Sequence, residues 1–128
     1  MGAILIALAS ALLAGQSAEP KRLDAEEMKQ AAEGKTKVFL LDVREPKEIE
    51  EGGKLKGAVN IPVGELEKRL GEVPKDLPVV TICARGRRAA KAAELLQKNG
   101  YKVTGICGML DYKAKGYEVV FPMDAKKP

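Results

Sequence analysis

PVVTICARGRRAAKAAELLQKNG, residues 78–100, decides how the rest of the chain is read. Pro78 to Cys83 is an apolar run rich in β-branched residues, which predicts a strand buried near the centre of a sheet. Arg88 to Asn99 is the clearest helix of the sequence. Ala89, Ala92, Ala93 and Leu96 fall on one face at helical spacing, and Gly100 ends the pattern. Small alanines on that face let the helix lie close to the sheet. Between strand and helix sits a thiol, followed by Arg85, Gly86, Arg87 and Arg88. The stretch is therefore one strand–loop–helix unit with its chemistry at the seam.

The same alternation extends in both directions. Asp24 is placed to cap a helix running to Glu33, with Gly34 as its stop. VFLLDV, residues 38–43, reads as a second buried strand ending near a carboxylate. EPKEIEEGG gives a short helix broken by Gly52 and Gly53, AVNIP (residues 58–62) a strand, and Gly64 to Leu70 a short helix. Beyond Gly100, YKVTGI (residues 101–106) reads as a strand and Gly108 to Lys115 as a last short helix. Alternating strands and helices argue for one α/β domain around a mostly parallel sheet. In such sheets the chemistry collects at the carboxyl ends of the strands, where both Cys83 and Asp42 fall.

Composition narrows the chemistry. The chain has 128 residues, 45% of them hydrophobic and 31% charged, enough for one domain with a proper core. Aromatics are only 4%, so the core must be built from Leu, Ile, Val and Ala. The net charge of +4 is mild, with Lys and Glu interleaved along most of the chain, and no basic–aromatic pattern points to nucleic acid. Histidine is absent, which removes the commonest general base and excludes a Ser-His-Asp or Cys-His mechanism. With Cys83 and Cys107 as the only thiols, no zinc site is expected, and no other metal or cofactor is called for.

The first residues differ from the rest. Ala3 to Gly15 carries no charge and one polar residue, Ser10; thirteen residues are too few for a bilayer span of about 20. They match the apolar core of a secretory signal peptide, and Gly15 and Ser17 suit cleavage, although no Lys or Arg precedes them. The expectation is a signal segment over residues 1–18, a domain over 19–128, and a periplasmic or secreted protein with no stable membrane insertion after cleavage. A small single domain makes a monomer the default.

A loop leaving a strand and entering a helix turns backbone N–H groups inward and cradles an anion. A thiol at its mouth has its thiolate stabilised without any imidazole. Gly86 supplies the backbone freedom a tight cradle requires. Three arginines near a helix start oppose its dipole. That arrangement makes sense where an anion is meant to arrive.

LLDVREPKEIEEGGKLKGAVNIP, VVTICARGRRAAKAAELLQKNGYKV and GICGMLDYKAKGYEVV, in that order, resemble the rhodanese-like domain family over about residues 22–121. The resemblance implies an α/β fold with a central, mostly parallel sheet of about five strands flanked by helices. It implies that Cys83 carries sulfur as a persulfide and that Ala84, Arg85, Gly86, Arg87, Arg88 and Ala89 form the loop that binds it. Asp42 and Arg44 match an Asp-Val-Arg motif that mainly supports the architecture near the site. From Cys83 to Arg88 is six residues, similar to the sulfurtransferases. Phosphatases and arsenate reductases of related fold use one residue more. There are departures: Ala89 stands where serine is frequent, and Cys107 stands where the first of two glycines is common, either as a filled packing position or as a resolving thiol.

The resulting expectation is a thiosulfate-type sulfurtransferase, with a small anionic sulfur donor and a thiophilic acceptor as its partners. Two alternatives remain at this point. One is a rhodanese-like binding module without turnover. The other is a thiol-redox protein in which Cys107 acts as a resolving thiol for Cys83.

Overall fold

The computed structural model describes residues 19–122. The N-terminal stretch read as a signal segment, residues 1–18, lies outside the described residues. The strands are β1 (Lys21–Arg22), β2 (Phe39–Asp42), β3 (Val59–Asn60), β4 (Val79–Cys83) and β5 (Val103–Gly108). The helices are α1 (Ala25–Ala32), α2 (Pro46–Gly52), α3 (Arg87–Lys98) and α4 (Met109–Ala114), with a 3-10 helix over Val63–Glu72. The five strands form one sheet in the order β1-β5-β4-β2-β3, and every pairing is parallel.

Local chemistry explains most of these elements. Asp24 caps α1 with a reciprocal box: its side chain accepts from the Glu27 N–H, and Glu27 accepts from the Asp24 N–H. Pro46 opens α2, and Gly53, at φ +77°, ends it. On β4 the side chains alternate between two cores. Val79 and Cys83 join Leu41, Ala89, Ala92, Ala93 and Leu96 on the face covered by α3 and the 3-10 helix. Val80 and Ile82 join Met28, Leu55, Cys107, Met109 and Tyr112 on the face covered by α1 and α4. A sheet buried on both faces needs near-continuous apolar strands, and all five residues of β4 are buried.

The structure departs most from the sequence reading in four places. β1 is two exposed charged residues with no apolar pattern, and only its pairing with Gly105 and Ile106 makes it a strand. The stretch AVNIP keeps strand pairing only at Val59 and Asn60. The helix read over Gly64 to Leu70 is a 3-10 helix kinked at Arg69. β5 starts later, because the Tyr101 N–H closes α3 by donating to the Leu96 carbonyl, and its hydroxyl donates to Leu70 O at 2.7 Å. It also ends later, so that Cys107 lies within the strand.

The chain passes from β2 outward to β3 and then returns to place β4 on the other side of β2. The strand order thus reverses between β2 and β4. The crevice at a reversal point opens beyond the carboxyl ends of its strands, here Asp42 and Cys83.

Candidate active site

Cys83 ends β4 with 1% of its surface exposed. The chain then turns through Ala84, Arg85 and Gly86 before α3 begins at Arg87. Gly86 takes φ +104°, a left-handed conformation that side-chain-bearing residues adopt only under strain. That turn folds the loop back over the thiol. The Gly86 N–H donates to Cys83 Sγ at 2.9 Å and the Ala89 N–H donates to it at 3.3 Å. A sulfur at this point faces the start of a helix whose first turn has no acidic side chain. Both the donors and the helix dipole favour negative charge there.

The loop is held from behind by β5 and α4. The Leu110 N–H donates to the Ala84 carbonyl at 3.1 Å. Gly108 makes this approach possible, because a Cβ there would stand 2.8 Å from Ala84 O and 3.1 Å from Arg85 Cα. From the sheet edge, Arg22 Nη1 donates to the Arg85 carbonyl at 3.0 Å.

Asp42 ends β2, and Arg44 follows it after one intervening residue. They form a buried pair, with Arg44 Nη2 2.7 Å from Asp42 Oδ2 and Arg44 Nε 3.0 Å from Oδ1. Arg44 also donates to the Gly53 carbonyl, and the Asn60 amide bridges the carbonyls of Asp42 and Arg44. The pair thus ties the ends of β2, α2 and β3 together beside the crevice.

The three loop arginines do not act alike. Arg85 and Arg87 are exposed and form no ion pair among the described residues. Arg88 is half-buried and holds Glu48 of α2 in a two-point ion pair at 2.7 and 2.9 Å. The Arg88 guanidinium, helped by the Glu45 N–H, brings the Glu48 carboxyl down to about 2. Its own proton is held more tightly in return, chiefly by Glu48. Arg85 and Arg87 are thus the loop's cations outside any ion pair among the described residues, and Arg88 locks α3 against α2.

Cys107 sits where the packing reading places it and away from the face a resolving thiol would need. In the sheet register Ile82 lies opposite Cys107 and Cys83 opposite Gly108. Successive side chains alternate between faces. Cys83 and Cys107 therefore belong to cores on opposite sides of the sheet, and both are free thiols. Cys107 is fully buried, its Sγ donates weakly to the Thr81 carbonyl, and burial pushes it up to about 12. It is a packed core residue.

The sequence reading did not single out Glu48 or Arg22. Glu48 carried a signal, since its carboxylate stands three residues after Glu45 and accepts from the Glu45 N–H at 2.8 Å. Its partnership with Arg88, 40 residues away, carried none. A groove of about 580 Å³ runs from Arg87 along α3 past Lys91 and Glu94, and Cys83 does not line it.

The family model described as the rhodanese-like domain matches residues 24–114. The uncharacterized YqhL protein of Bacillus subtilis is 46% identical over 67 residues, covering 52% of each chain, so this chain spans about half of that relative. A sulfurtransferase of Allochromatium vinosum is 31% identical over 102 residues, covering 78% of this chain and 94% of that one. The crystal structure of the single-domain sulfurtransferase RDL2 of Saccharomyces cerevisiae superimposes with a TM-score of 0.68 at 32% identity. That match covers 78% of this chain and 94% of RDL2.

Proposed function

The chain belongs to the rhodanese-like domain family, and on that premise we propose that it is a sulfurtransferase working through a persulfide on Cys83. The observation that carries this reading is the pair of N–H groups, from Gly86 and Ala89, directed at Cys83 Sγ. In the first step the Cys83 thiolate, its proton given to solvent, attacks the outer sulfur of thiosulfate. The sulfur–sulfur bond of the donor breaks, and sulfite leaves with the bonding electrons. Cys83 then holds a persulfide whose terminal sulfur carries the negative charge. In the second step a thiophilic acceptor attacks that terminal sulfur, and the Cys83 thiolate departs as the leaving group. This is nucleophilic catalysis with the anionic intermediate stabilised by fixed dipoles. Relatives bearing sulfurtransferase names support a sulfur-transfer role in general. Exposed Arg85 and Arg87 suit a doubly charged donor such as thiosulfate.

The test uses the full chain, freshly reduced and mixed with thiosulfate. The expected result is a mass gain of one sulfur on Cys83, which cyanide then removes as thiocyanate. Cys83→Ser is expected to reduce both steps to background. No sulfur gain by the wild-type chain, with both thiols intact, would overturn the proposal in favour of an anion-binding module without turnover.

A further inference from the structure

Arg22 lies on the two-residue edge strand β1, 63 residues before Arg85. Its guanidinium is held at two points. Nη1 donates to the Arg85 carbonyl at 3.0 Å, and Nη2 donates to Asp111 Oδ2 of α4 at 3.0 Å. It lies directly over Gly86, since a Cβ there would stand 2.2 Å from Nη1.

The Arg85 carbonyl and the Gly86 N–H belong to the same peptide unit. No peptide bond among the described residues is cis, so the C=O and N–H of that unit point in opposite directions. Drawing the oxygen outward to Arg22 therefore aims the hydrogen inward, where it donates to Cys83 Sγ at 2.9 Å. A cation on the carbonyl also polarises the unit and strengthens its N–H as a donor. Without that anchor the unit sits beside a glycine, the residue least able to resist a peptide rotation.

We infer that Arg22 is a positioning residue for sulfur transfer, acting through the Arg85–Gly86 peptide to aim its N–H at the Cys83 sulfur. This deepens the sulfurtransferase reading and rests on it for the role in turnover. Asp111 fixes the guanidinium in register with the loop. The other charges around Cys83 are Arg87 and the Arg88–Glu48 pair on α3 and α2, Arg85 in the loop, and the Asp42–Arg44 pair at the end of β2. None of these contacts the Arg85 carbonyl among the described residues.

The experiment compares the full wild-type chain with Arg22→Ala and Lys21→Ala. Lys21 neighbours Arg22 on β1 but pairs with Glu27 of α1, so it reports on the edge strand alone. Iodoacetamide labelling of Cys83, located by peptide mass, is followed against pH, and sulfur loading from thiosulfate is followed in single turnovers. Deleting an oxyanion donor outright costs roughly 10²–10³ in rate, and loosening its aim costs less. Arg22→Ala is therefore expected to lower the maximal loading rate about tenfold. Its labelling profile moves to higher pH, while Lys21→Ala follows wild type in both.

An unchanged labelling profile in Arg22→Ala overturns the inference. So does the same shift in Lys21→Ala, which would trace the effect to β1. A change confined to the thiosulfate concentration for half-maximal loading also overturns it, because Arg22 would then serve only to attract the anion. If Arg22→Ala does not fold, Asp111→Asn, which releases the guanidinium's second tether, is read in the same way. Labelling does not require sulfur transfer. A shifted profile in a protein whose wild type takes no sulfur would remove the proposed function and leave the role of Arg22 at the thiol.

Discussion

At the scale of single residues, two glycines shape the cradle for different reasons. Gly86 is needed for its backbone angle, since φ +104° turns the loop back over the thiol. Gly108 is needed for its lack of volume. Its own φ of −120° suits any residue, yet a Cβ there would press on backbone atoms of Ala84 and Arg85 that no rotamer change can move. Gly108→Ala is therefore expected to lift the loop. Its cost falls in the range of overpacking, about 1–3 kcal/mol, and it also slows sulfur loading at Cys83. Urea unfolding and a single-turnover assay on the same variant check both parts. A loss of stability with full loading would mean that the strain is absorbed away from the loop.

At the scale of elements, the active loop depends on how α2 and α3 are locked. The lock is the Glu48–Arg88 pair, and it is sensitive to pH. The Glu48 carboxyl titrates at about 2 in the folded chain against an ordinary 4.5, so the folded state holds that proton less tightly than the unfolded one. The contribution of the pair is complete above pH 4.5 and is lost as pH falls toward 2. The stability difference between wild type and Glu48→Gln is expected to shrink across that window. Urea midpoints of both proteins, measured at its two ends, check this. Above the window, Glu48→Gln frees Arg88 and weakens the contact between α2 and α3.

At the scale of the whole molecule, charge and topology act together. The chain carries a net +4, and Arg85 and Arg87 stand exposed at the end of the sheet where the strand order reverses. On the proposed function, a dianionic donor is drawn toward that end. Salt shortens the reach of the attraction, from about 10 Å at 0.1 M to about 3 Å at 1 M. The kcat/KM for thiosulfate is expected to fall as sodium chloride is added, with a much smaller change for an uncharged sulfane donor. Equal salt dependence for the two would remove the arginines from donor capture.

The sequence by itself determined what rests on short-range chemistry. The run from Pro78 to Cys83, the glycine at Gly86 and the alanine face of α3 made the strand–loop–helix unit legible. Each is set by neighbours within a few residues: β-branched crowding, backbone freedom and helical periodicity. Asp42 was legible as the carboxylate that ends an apolar run, whereas Arg44 came only from the likeness to the family's Asp-Val-Arg motif; the structure pairs the two across one intervening residue. Only the tertiary structure decided which charges meet. Arg22 reaches Arg85 across 63 residues and Arg88 reaches Glu48 across 40, and no local pattern encodes either contact. The fate of Cys107 was also tertiary. Read as ending at Ile106, β5 left that thiol outside the strand and free to approach Cys83. Pairing with β4 through Gly108 fixes the register, and in a pleated sheet the register fixes the face. The second thiol is thereby buried on the opposite side of the sheet from the first.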